Sequence, residues 1–136
     1  MKTPINILRF IPLSLWIILV YILLTLPGKD FGTMEVSIPN LDKIAHMTLF
    51  GGIVFWFGFA LLNIDKNRTR CKTIFITVIA SIYGVAMEYV QKYWTNHTRD
   101  FSYGDMFADL IGAIIAYFLI RWITIKYQSR APKNNY

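Results

Sequence analysis

Four long runs of apolar residues divide the chain, and short polar segments separate them. The runs lie at about residues 5–26, 43–62, 72–91 and 104–125. Because an α-helix rises about 1.5 Å per residue, about 20 residues cross the roughly 30 Å hydrocarbon core of a bilayer. The pattern therefore predicts a single all-α domain over residues 1–136, an integral membrane bundle of four helices.

The first run has a second interpretation as a secretory signal peptide, because Lys2 and Arg9 give it a basic start. No small-x-small cleavage site follows Leu24, however, and three more apolar runs come later. The run ends at Pro27 and Gly28, a pair that commonly terminates a helix. We therefore favour an uncleaved spanning helix.

Composition and charge agree with a membrane protein. The chain is 55% apolar and only 16% charged, and its net charge is +6. If the four runs alternate in direction, ten of the 14 Lys and Arg residues fall on one side of the membrane, and seven of the eight acids fall toward the other. The positive-inside rule then predicts that both termini are cytoplasmic. The basic character follows from this topology, so we do not expect nucleic acid as a partner.

Acidic, histidine and glutamine side chains inside the runs lie near their outer ends. His46 lies one turn into the second run, Glu88 and Gln91 lie in the last turn of the third, and Asp105 and Asp109 open the fourth. A charged group in the centre of a span costs on the order of 3 kcal/mol, so each of these residues needs a reason to be there. Antiparallel neighbours would bring all five to one level at the outer membrane face.

Small and polar residues form stripes at helical spacing in the third and fourth runs. The stripes consist of Thr77, Ala80, Ser81, Gly84, Glu88 and Gln91, and of Asp105, Asp109, Gly112 and Ala116. Small residues let helices approach closely in lipid, so we expect the two stripes to face each other. The opposite faces, for example Phe75, Ile82, Ile115 and Phe118, are then expected to meet lipid.

Some of these polar residues have a purely structural explanation. Asp42 precedes a helix and suits an N-cap, Ser102 with Asp105 fits a capping box, and a lone His46 is more often a packing residue than a ligand. Glu88 and Asp109 lack such an explanation, because one lies at a helix C-terminus and the other lies past the capping positions.

An ion or a proton is therefore expected beside Glu88 and Asp109. The candidate partners are His46, Lys43, Arg99 in the outer loop, a metal ion, or a proton shared between carboxylates. The single cysteine, Cys71, forms no intramolecular disulfide, and no Cys or His pair has the spacing of a metal site, so no metal site is predicted.

The ordered set of polar residues resembles the VanZ-like family. It comprises D-K-x-x-H at Asp42, Lys43 and His46, E-x-x-Q at Glu88 and Gln91, the loop residue Arg99, and Asp105, Asp109 and Gly112. The resemblance extends from about residue 27 to 116 and departs at Asp109, where the family usually has Asn. It implies a small integral membrane protein of bacteria, in a family named for a member associated with resistance to the glycopeptide teicoplanin.

The expected function is recognition at the outer face of the bacterial cytoplasmic membrane. The polar pocket is predicted to contain Asp42, His46, Glu88, Gln91, Arg99, Asp105 and Asp109. Its ligand would be a lipid head group, an envelope precursor or a glycopeptide-related compound, with Arg99 and His46 on an anionic part. The bilayer itself is the other expected partner.

A membrane-embedded hydrolase or transferase that uses carboxylate and histidine acid-base chemistry is the alternative. The chain has no HExxH, nucleophile elbow or metal-spaced His cluster, so catalytic residues and a cofactor stay unassigned. A proton-coupled carrier is less favoured, because the middles of all four runs are apolar.

Overall fold

The computed structural model describes residues 7–25, 40–62, 66–94 and 101–130, which are almost entirely helical and contain no strand. A 3-10 turn at Ile7–Phe10 leads into helix α1. The α-helices are α1 (Ile11–Thr25), α2 (Leu41–Ala60), α3 (Lys66–Trp94) and α4 (Tyr103–Arg130). The all-α prediction is confirmed for this part of the chain.

Four helical segments of the described chain are long and apolar enough to cross a membrane. They are Ile7–Thr25, Leu41–Ala60, Asn67–Trp94 and Tyr103–Ser129. The third is longer than predicted at both ends, because no proline or glycine interrupts the polar residues that flank its apolar part. Cys71, expected in a loop, consequently lies on an exposed face of α3.

Helices α2, α3 and α4 pack against one another, and α1 packs against α2 and α3. Gly51 lies beside Gly112 and Gly58 lies beside Ile120, so α2 and α4 run in the same direction. Helix α3 runs in the opposite direction and packs against both of these helices. The starts of α2 and α4 therefore meet the last turns of α3 at one end of the bundle, which we call the acid end. The opposite end, where Arg70 and Arg121 lie, we call the basic end.

Glycines allow close contact between α2 and α4. A Cβ atom on Gly112 would lie 2.6 Å from Met47 Cα, and one on Gly51 would lie 2.9 Å from the carbonyl oxygen of Gly112. The α4 stripe was expected to face α3, and this is wrong for Gly112, which faces the backbone of α2. It holds for Asp109, which lies against Gly84 of α3. The stripe on α4 thus contacts both α2 and α3, because α4 packs against both helices.

The surfaces that were predicted to face lipid are exposed. Phe75 and Ile82 of α3 and Ile115 and Phe118 of α4 are each more than half exposed. The interior is formed by aliphatic and aromatic side chains, with Phe50 and Val54 fully buried. Since these exposed side chains are apolar, hydrocarbon suits this surface better than water does.

Candidate functional site

The acid end gathers most of the predicted polar residues into the interior of the bundle. Five of them are buried, with exposed fractions of at most 6%: His46, Glu88, Gln91, Asp105 and Asp109. Asp42 is exposed at the rim. Arg99 lies outside the described residues.

A short polar contact between side chains of different helices joins His46 of α2 to Asp109 of α4. His46 Nδ1 lies 2.9 Å from Asp109 Oδ1, and both side chains are almost completely buried. The imidazole also stacks on Phe50, with ring centres 6.3 Å apart. Packing and hydrogen bonding therefore fix the orientation of the ring.

Gly84 makes the position of Asp109 possible. A Cβ atom on Gly84 would lie 3.0 Å from both Cβ and Cγ of Asp109 and 2.5 Å from its Oδ2. Asp109 Oδ2 is buried and has no hydrogen-bond partner among the described residues. Asp109 is thus enclosed between α2 and α3, and one of its carboxylate oxygens has no hydrogen-bond partner among the described residues.

Glu88 contacts the start of α4. The backbone N–H of Ser102 donates to Glu88 Oε2 at 3.0 Å, and the N–H of Asp105 donates to Ser102 Oγ at 3.2 Å. Ser102 therefore caps α4 as predicted, but Glu88 from another helix replaces Asp105 as the reciprocal partner of the capping box. The placement of Glu88 in a last helical turn is wrong, because α3 continues to Trp94. Glu88 Oε1 remains buried without a hydrogen-bond partner in the described structure.

Asp42 does not cap α2. Asn40 takes the N-cap position with φ 63° and makes no capping hydrogen bond through its side chain, so the capping explanation of Asp42 is wrong. Asp42 lies instead in the first turn, near His46 and Asp105. One potential ligand atom from each of these three residues lies within 4.8 Å of the others.

Lys43 places an ammonium group beside this group of side chains. Its Nζ lies 3.7 Å from Asp105 Oδ1, which is an ion-pair distance but too long for a hydrogen bond. Asp105 Oδ1 has no hydrogen-bond donor among the described residues. The sequence named Lys43 only as one candidate partner, and its position over Gly104 follows from the packing of α2 on α4.

Gln91 has a structural role at the acid end. Its amide Nε2 donates to the carbonyl oxygen of Leu24 at 3.2 Å, in the last turn of α1. The last carbonyls of a helix lack partners within the helix, so Gln91 stabilises the end of α1. Sequence spacing places Gln91 on the same face as Glu88, but it carries no information about α1.

The site offers hydrogen-bond acceptors and negative charge. Three buried carboxylate oxygens, one each from Glu88, Asp105 and Asp109, have no hydrogen-bond donor within the described residues. The N-termini of α2 and α4 supply part of the compensating charge, since each is equivalent to roughly half a positive charge. An arrangement of this kind favours a cation or a ligand rich in donors.

Comparisons with known proteins give no relative. No family model, no curated protein sequence and no solved structure matches the chain. The resemblance to the VanZ-like family therefore stays a prediction.

Proposed function

We propose that the chain is a VanZ-like protein of the bacterial cytoplasmic membrane whose acid end opens outward and binds a phosphate-bearing head group. The head group would belong to a membrane lipid or to a lipid-linked envelope precursor. The observation that supports this proposal most is the convergence of His46, Glu88, Asp105 and Asp109, from three helices, at one buried level. Ionisable groups at that depth are costly, so their presence indicates a function.

The orientation rests on the distribution of charge. Arg68, Arg70, Lys72 and Lys126 lie toward the basic end, and basic residues are retained on the cytoplasmic side. The acid end would then face outward.

Cys71 provides a direct test of this orientation, because it is the single cysteine of the chain and is exposed. In intact cells a membrane-impermeant maleimide should leave Cys71 unlabelled, and it should label the residue after permeabilisation. In a Cys71→Ser background, Tyr103→Cys at the exposed start of α4 should already be labelled in intact cells. Labelling of Cys71 in intact cells would contradict the proposed orientation.

The binding proposal is tested with purified protein in nanodiscs. Native mass spectrometry would compare retention of phosphatidylglycerol and of a polyprenyl diphosphate, which separates the two sources of phosphate. His46→Gln removes the imidazole expected to contact the phosphate, and we expect at least about tenfold weaker retention of the preferred lipid. Thr73→Val at the basic end is the control. Equal retention by the His46 variant and the wild-type protein, with both normally folded, would reject the pocket.

An enzyme acting on a lipid-linked phosphate is the second candidate, and the 2.9 Å contact between His46 and Asp109 favours it. A carboxylate that orients an imidazole is a common arrangement around a general base. In this case Asp109→Asn should lower kcat for release of phosphate while lipid retention changes little. Absence of turnover across phosphate and diphosphate lipids would remove this candidate.

A further inference from the structure

We propose that the acid end binds a divalent metal ion through Asp42, His46 and Asp105, with Asp109 positioning the imidazole. This inference rests on the proposed function and deepens it, since the ion would carry the phosphate. An anionic head group would otherwise approach four carboxylates, of Asp42, Glu88, Asp105 and Asp109.

The distances suit a metal ion. One ligand atom from each of Asp42, His46 and Asp105 lies within 4.8 Å of the other two. Ligands at 2.0–2.6 Å from a common ion are separated from one another by about 3 to 5 Å. Small rotations of the side chains are sufficient to close the site. Asp42 and His46 are four residues apart on α2, so they project from one face.

His46 is oriented by a carboxylate, as metal-binding histidines commonly are. Its Nδ1 is engaged by Asp109 Oδ1 at 2.9 Å, which leaves Nε2 as the nitrogen for an ion. A carboxylate that accepts the Nδ1 proton fixes the tautomer and makes the other nitrogen a better ligand. This gives a role to Asp109, the residue that structural explanations account for least.

Asp105 gives separate evidence that this group of side chains binds a ligand. It is 6% exposed, and its Oδ1 has no hydrogen-bond donor within the described part of the chain. Buried carboxylate oxygens are normally satisfied, and leaving one unsatisfied is costly. Lys43, 3.7 Å away, has a side chain that is 46% exposed, so it can swing away when an ion binds.

The helix N-termini do not explain the group by themselves. They favour acids in the first turns of α2 and α4, which accounts for Asp42 and in part for Asp105. They do not account for a buried imidazole between Asp105 and Asp109. One imidazole with two carboxylates suits Mn²⁺ or Zn²⁺ better than Ca²⁺, which prefers an all-oxygen site.

The test uses the full chain in detergent after removal of metal with EDTA. Mn²⁺ binding is followed by electron paramagnetic resonance, and Zn²⁺ binding is followed by calorimetry. We expect one ion per chain. Asp42→Asn at the exposed rim and His46→Gln should each weaken binding by at least about tenfold, and Asp109→Asn should weaken it by about tenfold.

Lys43→Met gives an expectation in the opposite direction. Removal of the competing ammonium group should tighten Mn²⁺ binding, whereas a merely structural role of these acids predicts no change in affinity. Thr73→Val at the basic end is the neutral control, and size-exclusion profiles establish that each variant is folded. If His46→Gln fails to fold, Asp42→Asn and Lys43→Met still decide the question.

The outcomes separate this inference from the proposed function. Substoichiometric binding by the wild-type protein, or binding that is insensitive to both Asp42→Asn and His46→Gln, overturns the metal site. Phosphate-lipid retention that persists after EDTA treatment overturns the role of the ion in carrying the phosphate, while the binding pocket stands. Stoichiometric Mn²⁺ binding without lipid retention leaves the metal site standing and rejects the phosphate-binding function.

Discussion

The two ends of the bundle satisfy their polar side chains in different ways. At the basic end, Thr73 donates to the carbonyl oxygen of Thr69 and Thr124 donates to that of Ile120, each in the preceding turn of its own helix. Thr69 and Gln128 at this end also donate to the carbonyl oxygens of Leu61 and Leu62, which follow α2. At the acid end, by contrast, a contact joins the side chains of two different helices. His46 meets a residue 63 positions away, and Gln91 reaches the end of α1 across 67 positions.

Some buried polar residues thus find a hydrogen-bond partner within their own helix, whereas others find one only when the helices have packed. A threonine that bonds to its own helix costs little wherever the helix packs. A buried carboxylate has no such local solution, so its position makes sense only with particular neighbours. The acid end is therefore the part of the molecule where substitution should have specific effects.

The largest expected difference concerns His46 and Thr73. His46→Leu leaves Asp109 buried without its partner, which should lower the free energy of unfolding by about 3 kcal/mol. Thr73→Val removes only a bond within one helix and should cost less than about 1 kcal/mol. Unfolding of both variants in the same detergent, followed by the loss of monodisperse protein with temperature, measures the difference. Similar losses in the two variants would remove the distinction between the ends.

Glycines provide the next contrast. Gly112→Ala places a methyl group against the backbone of Met47, which cannot move aside, whereas Gly58→Ala meets the side chain of Ile120, closest at its Cγ1 and with Cγ2 3.0 Å away. We expect losses of about 3 kcal/mol and about 1 kcal/mol, respectively. Thermal unfolding of the two variants measures them, with Ile111→Ala on the lipid-facing surface as control. A larger loss for Gly58→Ala would show that the helices are not held most tightly near the acid end.

The smallest contrast compares two glutamines. Gln91 is buried and donates to Leu24 at 3.2 Å, while Gln128 near the basic end is partly buried and donates to Leu62 at 3.4 Å. Gln91→Leu should cost about 1 kcal/mol and Gln128→Leu about half of that. Hydrogen exchange at the end of α1 should rise only in the Gln91 variant. Unchanged exchange there would mean that Gln91 does not stabilise α1.

The sequence predicts the helices and the meeting of polar residues better than it predicts their partners. Apolar runs of fixed length set the spans, and alternation of direction brings His46, Glu88 and Asp109 to one level. Hydropathy does not reveal that Gly112 faces α2, since small residues suit any close neighbour. Nor does it reveal that Glu88 accepts the N–H of Ser102, because that contact depends on how far α3 extends.

The pairing of His46 with Asp109 also constrains the order of assembly, because α2 and α4 lie next to each other but are separated in the chain by all of α3. While the chain is being inserted, the first three helices already contain His46 and Glu88, and neither has its α4 partner yet. The exposed polar groups favour docking of the last helix over the incomplete bundle. The acid end is therefore the last part of the interior to form, and it is complete only when α4 has packed against the other helices.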